Sequence, residues 1–169
     1  MLKLIPLLGA IALAACATKT ESVAVPASLA PAGERAVERL AARGVQIYEC
    51  RAKSGGGTEW VFTAPEADLF DAAGAPAGRH FAGPRWEAAD GSRIVGTVKA
   101  RADAPLAGAI PWLLLTARSD GAPGRFSKIT SVQRVNTAGG AAPAAGCDAA
   151  TLGRTERVPY SADYILLAP

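Results

Sequence analysis

The chain carries a single histidine, His80, in the stretch Gly78-Arg79-His80-Phe81-Ala82-Gly83-Pro84. An imidazole is the side chain best suited to a general base near neutral pH. The surrounding glycines and proline read as a loop, where functional groups are often placed. A hydrolase using His80 also needs a nucleophile and an orienting acid converging on the ring. No Gly-x-Ser-x-Gly elbow supplies the nucleophile. The simpler reading is a histidine hydrogen-bonded to a turn or packed beside Trp86. No residue is therefore assigned a catalytic role, and His80 and Trp86 stand as candidate ligand-binding residues.

Other groups that could do chemistry are sparse. Glu66, Asp68 and Asp71 lie close in sequence and could hold a cation with loop carbonyls. Their spacing matches no calcium loop, and acidic residues near a proline commonly cap a helix start. No metal ligand and no cofactor is assigned. Trp60, Trp86 and Trp112 could line an apolar cleft or form a carbohydrate platform, but each falls in or beside an expected strand, which favours core packing. Arg134 and Asn136 end another expected strand, before a glycine-rich loop. They fit either a polar network inside the fold or the mouth of a ligand site, and they join the candidate ligand-binding residues.

Three cysteines divide into one plus two. Met1 to Ala15 reads MLKLIPLLGAIALAA, a basic start and an apolar run ending in small residues, which is the layout of a secretory signal. Leu13-Ala14-Ala15-Cys16 resembles the lipobox of bacterial lipoproteins. That resemblance implies cleavage before Cys16 and its acylation, including a palmitate-type chain. Several acyl chains on one residue form a stable anchor where one alone is marginal. Ala17 rather than Asp after the cysteine implies export to the outer membrane. Cleavage would leave 154 residues with a charge of +2, since only Lys3 departs with the signal. Residues 16–31 then read as a lipidated cysteine and tether, and 32–169 as one domain. In an oxidising envelope the remaining Cys50 and Cys147 pair by default as a structural disulfide. Two free buried thiols are the alternative. No Cys-x-x-Cys redox pair and no clustered metal ligands are present.

These groups must be positioned by strands. Val45 to Arg51 and Glu59 to Thr63 flank Ser54-Gly55-Gly56-Gly57 and read as a hairpin. Arg85 to Ala89 and Ser92 to Lys99 flank Asp90-Gly91, which suits a tight turn with positive φ at both central residues. Trp112 to Ala117 is nearly all apolar, as in a strand buried on both faces. Phe126 to Thr137 lacks clean alternation, which predicts a bulge, and Tyr160 to Leu167 supplies a last strand. Two segments read otherwise. Gly33 to Gly44 is rich in helix formers with Val37, Leu40 and Ala41 on one face, predicting a helix, with an early strand as the alternative. Pro65 to Phe70 reads as a helical turn or loop. The fold expected is mainly β, an antiparallel sandwich or barrel-like single domain with little helix.

The composition agrees with one domain. Of 169 residues, 18 are Gly and 12 Pro, which excludes a coiled coil. Hydrophobic residues make up 50%, but 38 are alanines that add little volume to a core. The net charge of +3, interspersed along the chain, gives no nucleic-acid-binding face.

In order along residues 44–165 the chain also resembles a bacterial and fungal family catalogued as domain of unknown function 3455. The resemblance rests on Gly44-Val45-Gln46-Ile47-Tyr48-Glu49-Cys50, on Trp60 to Leu69, and on His80-Phe81-Ala82-Gly83-Pro84-Arg85-Trp86-Glu87 with Asp90-Gly91-Ser92. It continues through Ile110 to Leu115, Gln133-Arg134-Val135-Asn136-Thr137 with Gly139-Gly140, and Pro159 to Tyr164. It implies a secreted or envelope β-rich domain and no activity. A dehydrogenase label carried by some fungal relatives finds no Gly-x-Gly-x-x-Gly fingerprint here.

Three functions fit these readings. The leading one is a non-enzymatic binding or structural module of the cell envelope, held at the periplasmic face of a membrane through Cys16 and recognising a small ligand or an envelope protein. The second is an assembly factor that contacts another envelope protein through an apolar patch or open strand edge. The third is a hydrolase-type enzyme using His80.

Overall fold

Eight antiparallel strands run in sequence order around a ring: β1 (Arg35–Ala52), β2 (Thr58–Phe70), β3 (Pro76–Phe81), β4 (Arg85–Ala88), β5 (Arg93–Ala102), β6 (Trp112–Ser119), β7 (Ser131–Gly139) and β8 (Thr155–Ala168). Each pairs with the next, and β8 pairs back to β1. The fold is thus a closed barrel. Closure satisfies the outer edges that an open sheet would expose. This computed structural model describes residues 24–169. The signal segment, the lipobox cysteine Cys16 and the first half of the expected tether lie outside the described residues.

Strand alternation sets the inside and the outside. Along β1 the buried residues are Leu40, Ala42, Gln46, Tyr48 and Cys50, with period two. Along β8 they include Tyr160, Ala162, Tyr164 and Leu166. Alanines face the same interior: Ala42, Ala67, Ala77, Ala88 and Ala162 pack with Leu40, Leu69, Trp86 and Tyr164. Small residues opposite large ones let a narrow barrel fill without overpacking. Phe126, fully buried in the β6–β7 connection, closes one end, and its N–H is held by Ser92 Oγ at 3.0 Å.

The helix expected over Gly33 to Gly44 is instead the first half of β1. Fourteen register pairs with β8, from Arg35↔Ala168 to Glu49↔Thr155, outweigh its local helix propensity. Val37, on the expected apolar helix face, is exposed. The helical turn expected at Pro65 to Phe70 is the end of β2. Pro65 stands opposite Gln46 of β1, before pairing with β3 begins at Ala67↔His80. The loop expected around His80 is strand β3. The Asp90-Gly91 hairpin exists but turns differently: only Gly91 has positive φ (81°), and the Gly91 N–H bonds to the Ala88 carbonyl at 3.0 Å. That is a three-residue loop, with the left-handed residue last.

Other expectations hold. β6 is buried on both faces from Trp112 to Leu115. Its inner face joins the barrel core, while Trp112 and Leu114 pack outward with Val135 and with Leu29. Leu29 belongs to a 3-10 turn, Ala27–Leu29, in the last part of the expected tether, and its carbonyl accepts a bond from Gln133 Nε2 at 2.6 Å. The bulge in β7 falls between Val135 and Ala138, where Asn136 takes φ 50°. Cys50 and Cys147 form a disulfide with Cα atoms 5.3 Å apart, tying the end of β1 to the β7–β8 connection.

Candidate ligand-binding site

The interior is not filled throughout. A cavity of about 380 Å³ occupies the half of the barrel that holds Gln46, Tyr48, Leu113 and Arg134, with His80, Trp86 and Tyr164 among its walls. Its opening follows from strand lengths. β3 and β4 are short, and they pair with β2 only at Ala67–Phe70 and with β5 only at Arg93–Val95. Thr58–Glu66 of β2 and Gly96–Ala102 of β5 therefore face each other across a notch above the β3–β4 turn. Phe62 and Val98, both about half exposed, sit at this notch and line the cavity.

His80 lies at the floor. Its ring stacks on Trp86 with centroids 4.5 Å apart and meets Tyr164 edge-on at 4.9 Å. Nδ1 lies 2.8 Å from the Arg85 carbonyl, which can only accept, so the proton is on Nδ1 and Nε2 is bare. Burial pushes its pKa down to about 3; the Arg85 carbonyl opposes the shift and the Arg134 charge adds to it. His80 is therefore a neutral, packed ring at physiological pH. None of the cavity-lining residues is Asp or Glu, so no acid orients it.

Arg134 extends inward from β7, in register with Leu113 and Tyr164. Its Nε and Nη2 donate to the Pro111 carbonyl at 3.1 and 2.8 Å. No carboxylate pairs with it among the described residues. Around it stand neutral donors. The Tyr48 hydroxyl bonds to the Gly140 carbonyl at 2.6 Å, and the Tyr160 and Tyr164 hydroxyls lie 3.3 Å apart. Burial raises the pKa of all three tyrosines, with Arg134 pulling the other way. They stay protonated at neutral pH. Gln46, 2% exposed, also lines the cavity, but its Nε2 is shut off from the open space and lies beside the Tyr160 hydroxyl. A second cation reaches the mouth. The bulge between Val98 and Ala100 rephases β5, turning Ala100 and Ala102 onto the outer Leu29 cluster and Arg101 to the cavity side.

The other candidates separate from this site. Asn136 points outward, where its Nδ2 donates to Asp163 at 2.7 Å, beside the Arg39–Asp163 ion pair. The bulge that gives it positive φ breaks the phase it would share with Arg134. Trp112 lies on the outer face under Leu29. Trp60 is half-buried and donates to the Ala145 carbonyl at 2.9 Å, beside the disulfide loop. Asp71 caps the β2–β3 turn by accepting the Ala73 and Ala75 N–H groups, and Glu66 pairs with Arg157. Among the described residues no group of three or more His, Cys, Asp or Glu could hold a metal ion. An outer groove of about 600 Å³ is lined by both signs of charge, including Arg43, Glu66, Asp68, Arg79 and Arg157, and selects no ligand charge.

Gln46, Tyr48 and Arg101 are site residues that the sequence reading missed. For Gln46 a signal existed: it falls on the inward phase of β1, between Ala42 and Tyr48, where an amide needs a reason. Arg101 had none, because its phase depends on the bulge.

The model of a family described as "Protein of unknown function (DUF3455)" matches residues 31–168. No curated protein and no solved structure matches the chain.

Proposed function

The chain belongs to that family of unknown function, and we propose that it is a non-enzymatic small-molecule binding module of the bacterial cell envelope, anchored by lipid at Cys16. The observation that carries the binding role is the cavity of about 380 Å³, enclosed by the barrel, walled mainly by apolar and aromatic side chains and open at the notch. Eight-stranded barrels are wide enough to hold one small ligand, and pockets of this size bury such molecules. Support for a non-enzymatic role comes from His80, a neutral ring committed to a backbone carbonyl with no acid in the cavity. The lipobox supports the anchor.

The uncharged fluorophore N-phenyl-1-naphthylamine tests the binding role. Its emission rises on entering the wild-type cavity. Val98→Trp, which places a large ring at the half-exposed notch residue, weakens binding by about tenfold or more. Absence of binding to the wild type, or equal binding to Val98→Trp, overturns the reading. Mass spectrometry of the membrane fraction tests the anchor, since an intact Met1 with unmodified Cys16 refutes it.

A further inference from the structure

Resting on that reading of the cavity, we infer that the ligand is a small monocarboxylate with an apolar body, its head received by the Arg134 guanidinium. Arg134 is a cation inside the barrel without a carboxylate partner among the described residues; Nε and Nη2 donate to the Pro111 carbonyl, and its other neighbour is the neutral Tyr164 hydroxyl. Neither neighbour carries charge, so a planar carboxylate is the acceptor that suits its fork best. Gln46 does not share this role, because its Nε2 is shut off from the open space and lies beside the Tyr160 hydroxyl.

Charge selects the head further. No acidic residue lines the cavity, and the tyrosines and His80 around it are neutral. One bound monoanion balances Arg134 at depth, whereas the second charge of a phosphate dianion would face only Arg101, which is exposed at the mouth and screened by water. Arg101 at the mouth adds a steering charge of the same sign. The remaining walls, Phe62, Pro65, Val98 and Leu113 among them, are apolar and suit a hydrocarbon body.

Octanoate, octanol, octylamine and octyl phosphate share a tail and differ in head. Each is titrated against N-phenyl-1-naphthylamine bound to the full barrel domain. Octanoate displaces the probe at about tenfold lower concentration than octanol, the scale of a charge-assisted bond, and octylamine is weaker than octanol. In Arg134→Gln the octanoate-to-octanol ratio falls to about one, and in Arg134→Lys, which keeps the charge and loses the fork, it falls partway. Should Arg134→Gln not fold, the wild-type ratio and Arg134→Lys still decide. Equal displacement by octanoate and octanol, tighter binding of octyl phosphate, or a ratio unchanged in Arg134→Gln overturns the carboxylate assignment while probe binding stands. A wild type that binds no probe removes the binding module itself.

Discussion

Replacing Cys50 and Cys147 together by alanine opens a loop with a sequence separation of 97. In the chain-entropy treatment the bond removes about 2.1 + 1.5R ln n cal/mol/K from the unfolded state, about 4.7 kcal/mol at 25 °C for this loop. The folded state holds the same region by other means: Thr58 Oγ1 bonds to the Cys147 carbonyl at 2.8 Å and the Cys50 N–H to the Arg154 carbonyl at 2.9 Å. The loop therefore stays docked in the variant, and the effect falls on the unfolded chain. Cys50 is 1% exposed, so losing its sulfur adds a packing cost in the same direction. With an unfolding entropy of roughly 2.1 cal/mol/K per residue, Tm falls by about 15 °C. Urea unfolding followed by tryptophan emission gives the stability of wild type and variant. A loss below about 1 kcal/mol refutes the argument that this closure supports the barrel.

Two further changes test the frame. His80 has a pKa of about 3 when folded against an ordinary 6.5, so below pH 6.5 the unfolded state binds the extra proton and stability falls. The loss between pH 6.5 and 4.5 is about 2–3 kcal/mol, in a window above the usual carboxylate range, and chemical denaturation across that range shows a flatter profile for His80→Gln. An unchanged profile means that His80 is not buried neutral. At Gly44, a Cβ would stand 2.0 Å from the Glu66 carbonyl oxygen and 2.6 Å from the Ala67 Cβ. Gly44→Ala therefore forces β1 from β2 and costs about 2 kcal/mol or more in urea unfolding, and a neutral result overturns this close crossing.

The β character, the two hairpins flanking the glycine-rich and Asp-Gly turns, the twice-buried β6 and the disulfide were legible because each has a local signal: alternation, turn residues, an apolar run or a parity of cysteines. The first half of β1 was not. Glu34 to Arg43 contains good helix formers, and its pairing with β8, at the far end of the chain, joined by β2 from Ala41 onward, makes it a strand from Arg35. His80 misled for a similar reason. Glycine and proline on both sides spell a loop, yet β3 is held by neighbours on each side through Ala67 and Trp86. Grouping Arg134 with Asn136 was half right. Two residues apart on a regular strand they share a face, but the bulge at Asn136 sends one inward and the other to Asp163.

The alanines acquire a different meaning from these positions. In a barrel, inward side chains from all eight strands compete for one narrow space, so volume must be rationed around the ring. At the end closed by Phe126, Ala42, Ala77, Ala88 and Ala162 make room for Leu40, Leu69 and Ile94 to meet. Midway, Gly96 makes room for Trp86, since a Cβ there would lie 2.8 Å from its ring. Above that layer the strands that would continue the wall, β3 and β4, have already turned back, and the residues facing in include Gln46, Tyr48 and Arg134 beside Leu113. A guanidinium without a carboxylate partner in that layer lowers stability relative to an apolar side chain that fills the space. The barrel thus divides into a closed half, where alanines ration volume among the large side chains, and an open half with a polar inner layer, and its stability rests on the packed half and on the Cys50–Cys147 bond.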